Sequence, residues 1–463
     1  MKSAYTFIKK NSVLFFMKRK FFFKLFLFSF FTFHFTFFIS DASAYDYPVE
    51  TKTLSNGLKI IVCEKPGGTE TEVQLWYRCG SKDETDGIRG MAHMFEHMMF
   101  RGSKNYMGDG DVFIDSMESI GANCNAYTTF DRTVYHETIP NEKIEMVLKM
   151  EADRMENLVL DQNTLDVERQ VVGEELRNGM NNWFQRMHSD VYEHLYPTGH
   201  PYRVDVIGYL DQIVNFTTQQ CQDFYDKNYA PNNCTLIIVG DVKAEDVFAL
   251  ASKIFGGIKK QLPPTETSAA STLLADSLRG YEYSVDFPVQ IYGYMIPKPP
   301  TSSPDFFAWL FFKDLMFTNP NSILQKEIVQ DMQAAYQISE ASDDWSIYSN
   351  YCELYCIMQA APGNVKVKKM ISSQVQEVIE DGMDETLMKN YIESLKAQRL
   401  LGMYQNDFIA NELGMADRYF GDYNQYNRVI DEFEKITPDQ LHDVVVKYFS
   451  PENFKVINIK PTF

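Results

Sequence analysis

Apolar residues dominate the short runs 58–63 and 73–79, which read as strands, and Asn56-Gly57 and Gly67-Gly68 supply the turns before and between them. The apolar spacing becomes that of a helix over residues 88–100, which Gly102 closes, and again over residues 163–178. Between these helices, residues 125–139 return to a strand pattern.

Part of the pattern recurs. Residues 216–233 read FTTQQCQDFYDKNYAPNN and residues 436–453 read ITPDQLHDVVVKYFSPEN, with Thr217/Thr437, Gln220/Gln440, Asp223/Asp443, Lys227/Lys447, Pro231/Pro451 and Asn233/Asn453 identical at an offset of 220. Each copy is a helix pattern, a Pro-Asn turn and a strand, Leu236-Ile237-Ile238-Val239 in one and Val456-Ile457-Asn458-Ile459 in the other. A second match, Val73-Gln74-Leu75-Trp76 with Val289-Gln290-Ile291-Tyr292, has an offset of 216. Residues 257–280, with Pro263-Pro264 and many Thr, Ser and Ala, read as a linker. The expected fold is α+β: two homologous domains, residues 45–256 and 281–463, duplicated at about 220 residues. Each would be an antiparallel sheet with helices packed on it.

Residues 1–44 differ from the rest. Lys9, Lys10, Lys18, Arg19, Lys20 and Lys24 precede a Phe-rich run that ends near Ile39, and Ala42-Ser43-Ala44 follows. A basic start, an apolar stretch and a small-residue site are the marks of a secretory signal peptide, so cleavage is expected before Tyr45 and export to the periplasm or beyond. The alternative is a retained membrane anchor, although Lys24 and His34 shorten the apolar run below the ~20 residues of a span. After cleavage no stable membrane span is expected.

Losing seven basic residues and one acid with that segment takes the formal charge from −19 to −25. Such acidity excludes nucleic acid as a partner, because phosphate binding needs a basic surface. Seven cysteines form no CxxC pair, which argues against a structural zinc ribbon or a thioredoxin-like motif. Core packing is their default reading, and the odd number leaves at least one unpaired within the chain.

The chemistry lies in His93-Met94-Phe95-Glu96-His97. Residues at i and i+4 share a helix face, so His93 and His97 can converge on one zinc ion. Glu96 then stands beside the metal's water without taking a coordination position, as a general base and later a proton donor to the leaving amine. Catalytic zinc needs a third protein ligand. In Glu168-Arg169-Gln170-Val171-Val172-Gly173-Glu174-Glu175 the outer two glutamates are two turns apart on one face, whereas Glu174 points away. Glu175 is therefore the expected third ligand to one Zn2+ per chain, and Glu168 the expected partner that orients a ligand from behind. His136, His188, His194, His200 and His442 lack convergent spacing and read as structural.

Residues 90–102, GMAHMFEHMMFRG, together with the 168–175 run and Gly121-Ala122-Asn123-Cys124-Asn125-Ala126-Tyr127-Thr128, resemble the pitrilysin/insulinase family. Within it the chain is most similar to the two-domain members of the mitochondrial-processing-peptidase type, over essentially its whole mature length. The resemblance implies a zinc-dependent endopeptidase acting on peptides or unfolded segments in a closed chamber. It also implies that the strand containing Asn125 and Ala126 pairs with the substrate backbone. Family members that complete their own site carry an Arg followed seven residues later by a Tyr, both touching substrate. Here Tyr336 is present but Val329 stands at the Arg position. A related subunit bearing the Arg/Tyr pair is thus an expected partner, with a homodimer as the alternative. At the offset of 216, His93, Glu96 and His97 fall on Trp309, Phe312 and Lys313, so the second domain is expected to be non-catalytic. The rival to a peptidase is a non-catalytic peptide-binding or structural subunit, against which the intact motif argues.

Overall fold

The computed structural model describes residues 47–108, 110–261, 282–285, 290–348, 350–358 and 364–461. The expected signal peptide and most of the expected linker lie outside them, as does Val289 of the second sequence match. The first half holds β1 (Val49–Thr53), β2 (Lys59–Glu64), β3 (Glu70–Tyr77), β4 (Asn123–Thr128), β5 (Thr133–Pro140) and β6 (Cys234–Gly240), in the sheet order β1-β2-β6-β3-β5-β4. The second half holds β7 (Glu282–Val285), β8 (Ile291–Lys298), β9 (Ala335–Glu340), β10 (Asn350–Met358) and β11 (Lys455–Pro461), in the order β7-β11-β8-β10-β9.

The identities of the sequence repeat have structural work in both copies. Thr217 and Thr437 each cap a helix, α4 (Thr218–Asn228) and α7 (Pro438–Val444), by accepting from the N–H of Gln220 or Gln440 at 3.2 Å, while that glutamine accepts from the threonine N–H. Asn233 and Asn453 each donate back to a carbonyl at the end of the preceding helical segment, at 2.9 Å in both copies.

Three expectations need correction. The sheets are mixed rather than antiparallel, because β2 runs parallel to β6 and β7 parallel to β11. Parallel neighbours need a long crossover, and the body of each half supplies it. Secondly, residues 125–139 are not one strand. β4 and β5 form a hairpin with Thr128 opposite Thr133, and the N–H of Thr129 donates to the Arg132 carbonyl at 2.8 Å across the turn. The turn Thr129-Phe130-Asp131-Arg132 has neither Gly nor Pro to announce it. Thirdly, the offset of 216 is wrong. Leu75 faces Leu236 in the first sheet and Tyr294 faces Val456 in the second, so β3 maps to β8 at 219 while β6 maps to β11 at 220. At 219, His93, Glu96 and His97 correspond to Phe312, Leu315 and Met316.

Successive residues of each strand enter opposite cores. Ile60, Val62, Leu75 and Leu236 pack with the helices of their own half, whereas Ile61, Trp76 and Ile237 face the other way. There they meet Ile409, Ala410 and Leu413 of α6 (Asn406–Phe420), a helix of the second half. Gly414 of α6 lies so close to Trp76 that a Cβ would come within 2.1 Å of its ring. Reciprocally, α3 (Trp183–Leu195) of the first half packs Met187, Val191 and Leu195 against Ile291, Met295 and Tyr351 of the second sheet. Each half covers the other's outer sheet face, so the central strands are buried on both sides and read as continuous apolar runs.

Candidate metal centre

α1 (Met91–Met98) follows from its sequence pattern: Met91, Ala92, Met94, Phe95 and Met98 are buried, which turns His93, Glu96 and His97 to the other face. Gly90 precedes it with φ +94°, and the buried carboxylate of Glu84 closes the helix start, accepting from the N–H groups of Gly90 and Ala92 at 2.8 Å each. Burial raises the Glu84 carboxyl to about 8. A Cβ on Gly90 would lie 2.6 Å from the Ile207 carbonyl, and one on Gly208 would lie 2.3 Å from that of Arg89. These two glycines let the segment carrying Asp205, Val206 and Ile207 cross the helix start and line the same cavity, of about 290 Å³, as His93, Glu96 and Glu175.

α2 (Gln162–Asn181) crosses α1, with Asp161 capping its start through the Thr164 N–H. Glu175 Oε1 is 3.8 Å from His93 Nε2, and Glu175 Oε2 is 3.3 Å from His97 Nε2. One donor atom from each of the three residues lies within 4.8 Å of the others. Two ligand atoms at about 2.0–2.1 Å on a tetrahedral zinc stand about 3.3–3.5 Å apart, so the set fits that ion. Glu174 instead accepts from Arg177 at 2.5 Å and is mostly exposed.

Glu168 is 1% exposed, with Oε2 3.6 Å from His97 Nδ1 and Oε1 accepting from Arg101 Nε. Arg101 also pairs with Asp111 at 3.1 Å. His97 is thus held from behind with Nε2 aimed at Glu175, the usual arrangement of a ligating histidine. Burial lowers the pKa of His93, favouring the neutral imidazole that a metal needs. Burial also lowers His97, but the hydrogen bond and charge of Glu175 and the charge of Glu168 outweigh it and raise the group. Glu175 is held below the usual carboxylate range, chiefly by its hydrogen bond with His97.

The other expected site residues are more dispersed. Asn125 and Ala126 lie on β4, which among the described residues pairs only with β5 and has its second edge free, but it is Tyr127 and Thr128 of that strand that line the cavity. Tyr336 is 61% exposed on β9, the edge strand of the second sheet, and does not line this cavity. Val329 is half-buried against the second core. Sequence reasoning missed Arg101, Glu84 and Asp205. Arg101 stands four residues after His97, a helical spacing that could have flagged it. The other two carry no local signal.

Two family descriptions match, Insulinase (Peptidase family M16) over residues 59–200 and Peptidase M16 inactive domain over residues 215–395. The second begins ahead of β6, the strand that lies inside the first sheet. Zinc protease PqqE of Helicobacter pylori is 28% identical over 431 residues, 89% of this chain and 93% of that protein. The beta subunit of the mitochondrial-processing peptidase of Neurospora crassa is 28% identical over 231 residues, 49% of this chain and 46% of its own. A crystal structure of a protease from Helicobacter pylori superimposes with a TM-score of 0.80, covering 90% of this chain and 100% of that one, at 23% identity, which establishes the fold. The chain belongs to the M16 (insulinase) family of zinc metallopeptidases. Among the described residues no helix is long and apolar enough to cross a membrane, and all seven cysteines are free, six of them buried.

Proposed function

We propose that the protein is an exported zinc-dependent endopeptidase that hydrolyses peptides or unfolded segments in a closed chamber. Residues 45–256 form its metal-binding domain and 281–463 the domain without metal. The observation that carries this reading is the convergence of His93, His97 and Glu175 on one point, with Glu96 beside them and Glu168 behind. Zinc held by these three ligands supplies Lewis acidity at the scissile carbonyl. Glu96, which is not a ligand, takes a proton from the attacking water and returns it to the leaving amine. Glu168, gripped by Arg101, fixes the ring of His97. The free edge of β4 receives the substrate backbone, with Asn125 and Ala126 in the pairing register.

Glu175 is 48% exposed, so the site opens outward and another surface has to close over it. A related subunit does so and contributes the arginine that Val329 replaces, alongside Tyr336 or its counterpart; a homodimer is the alternative. One relative is itself named as a subunit, which supports this arrangement. The purified chain should hold one zinc and cut an unfolded test peptide slowly, and faster with the partner that copurifies from the native source. Peptide binding without zinc or cleavage would make it a non-catalytic peptide-binding subunit instead.

A further inference from the structure

The turn joining β4 to β5 carries two charged residues that this chemistry does not use, and both are buried: Asp131 is 1% exposed and Arg132 6%. Their partners come largely from the second half. Asp131 Oδ2 accepts from the N–H of Ile347 at 3.1 Å and from the hydroxyl of Tyr202 at 2.7 Å, while its carbonyl accepts from Arg418 Nε and Nη2 at 3.2 and 3.0 Å. Arg132 Nη1 donates to Asp343 Oδ2 at 3.0 Å and to the hydroxyl of Tyr419 at 2.5 Å, and that hydroxyl donates to the Trp345 carbonyl at 3.2 Å. The guanidinium also lies 5.6 Å from the ring centres of both Tyr127 and Tyr419.

Tyr127 therefore lies beneath the Arg132 guanidinium and also borders the metal-site cavity. It sits near the end of β4, which among the described residues is an edge strand bonded on one side only. A hairpin edge is marginal by itself and frays from its ends. Pairing with an incoming peptide needs the free N–H and C=O groups of β4 held in register, and a strand already held loses less entropy on binding. An apolar tip would bury as much surface. What the charged tip adds is direction, since donors and acceptors from two separate second-half segments, residues 343–347 and 418–419, fix its position.

We propose that Asp131 and Arg132 are positioning residues through which the half without metal fixes β4 for substrate pairing. The proposal rests on the reading above that β4 receives the substrate backbone. The holoenzyme, with its partner if one copurifies, is assayed on three fluorogenic substrates: a long extended peptide, the same peptide with alternate backbone amides N-methylated, and a short peptide that spans only the scissile bond.

Asp343→Asn and Tyr419→Phe are mild changes on the second-half side of the contact. Each should raise KM for the long peptide about tenfold, leaving its kcat, the zinc content and short-peptide cleavage unchanged. Hydrogen exchange should quicken in β4 and β5 ahead of the rest of the protein, and Arg132→Lys, which keeps the charge, should show a smaller rise in KM. If N-methylation leaves wild-type KM unaltered, β4 does not pair with substrate and the premise fails. If wild type is sensitive to N-methylation but the variants keep its KM, the premise stands and the positioning role is wrong. A uniform loss on long and short peptides, tracking global stability, would also overturn it.

Discussion

Five strands of each half share a sheet order and nearly one register, yet among the described residues only the first half brings together a group that could hold a metal ion. α1 rests five residues on its core, turns His93 and Glu96 to a cavity and leaves His97 facing Glu175. At the corresponding place, α5 (Phe306–Lys313) is buried at every residue and runs on through a π-helical turn, Asp314–Thr318. The positions matching the motif are Phe312, Leu315 and Met316, all buried. Even its one charge, Lys313, is enclosed by Glu340, Asp344 and Asp314. A reactive helix face therefore depends on what is left off it. Where the fold covers the helix, desolvation disfavours imidazole and carboxylate and apolar side chains occupy their places.

The largest effect expected is on the ligand that completes the open face. Glu175→Gln should lower zinc affinity by well over the roughly ten- to hundredfold that a change behind the ligands costs, whereas Glu174→Gln should keep the metal. Metal analysis of both decides it, and the reverse outcome would move the third ligand by one residue.

His188 ties the halves together, with Nε2 3.0 Å from Glu353 Oε2 of β10 and Nδ1 3.9 Å from Asp205 Oδ2 beside the metal site. Burial lowers its pKa, but the neighbouring carboxylates of Glu353 and Asp205 prevail and raise it to about 10. Its folded value lies above the unfolded value of about 6.5, so this stabilisation is complete below that pH and fades as pH rises toward 10. His188→Gln should cost roughly 3–5 kcal/mol at pH 6 and flatten the fall in stability between pH 6.5 and 10 seen in urea titrations of the wild type. Parallel curves for the two proteins would show that the histidine is not charged in the fold.

Grafting the motif onto the covered helix sharpens the contrast. Phe312→His combined with Met316→His should bind no zinc and should destabilise the protein by about 3 kcal/mol, because it buries unpaired polar atoms and leaves space. Zinc binding there would mean that burial does not decide where the site forms. The smallest effect belongs to Glu168→Gln, which leaves the ligands in place. It should weaken zinc by about tenfold to a hundredfold, measured by competition with a chelator.

What the sequence made legible was local. His93, His97, Glu168 and Glu175 could be placed because helical phase alone sets their faces, and the 220-residue repeat marks capping boxes that occur in both copies. The strand match at 216 misled because it differs from the true 219 by an odd number, which turns every side chain to the opposite face. At 219, Leu75 and Tyr294 both face their own half's core. At 216, Leu75 would match Ile291, which faces the other half's helix. The β4–β5 turn, Glu84 beneath α1 and the contacts of Asp131, Arg132 and His188 with the second half depend on residues far apart in the chain. No periodicity encodes them.

The most direct test of the open, metal-bearing face is Glu96→Gln, with zinc content and turnover measured on the same sample. The ligands are untouched, so one zinc per chain should remain, while turnover falls by about two to four orders of magnitude for loss of the base. A variant that keeps its zinc and more than roughly a tenth of wild-type turnover would contradict the role given to Glu96.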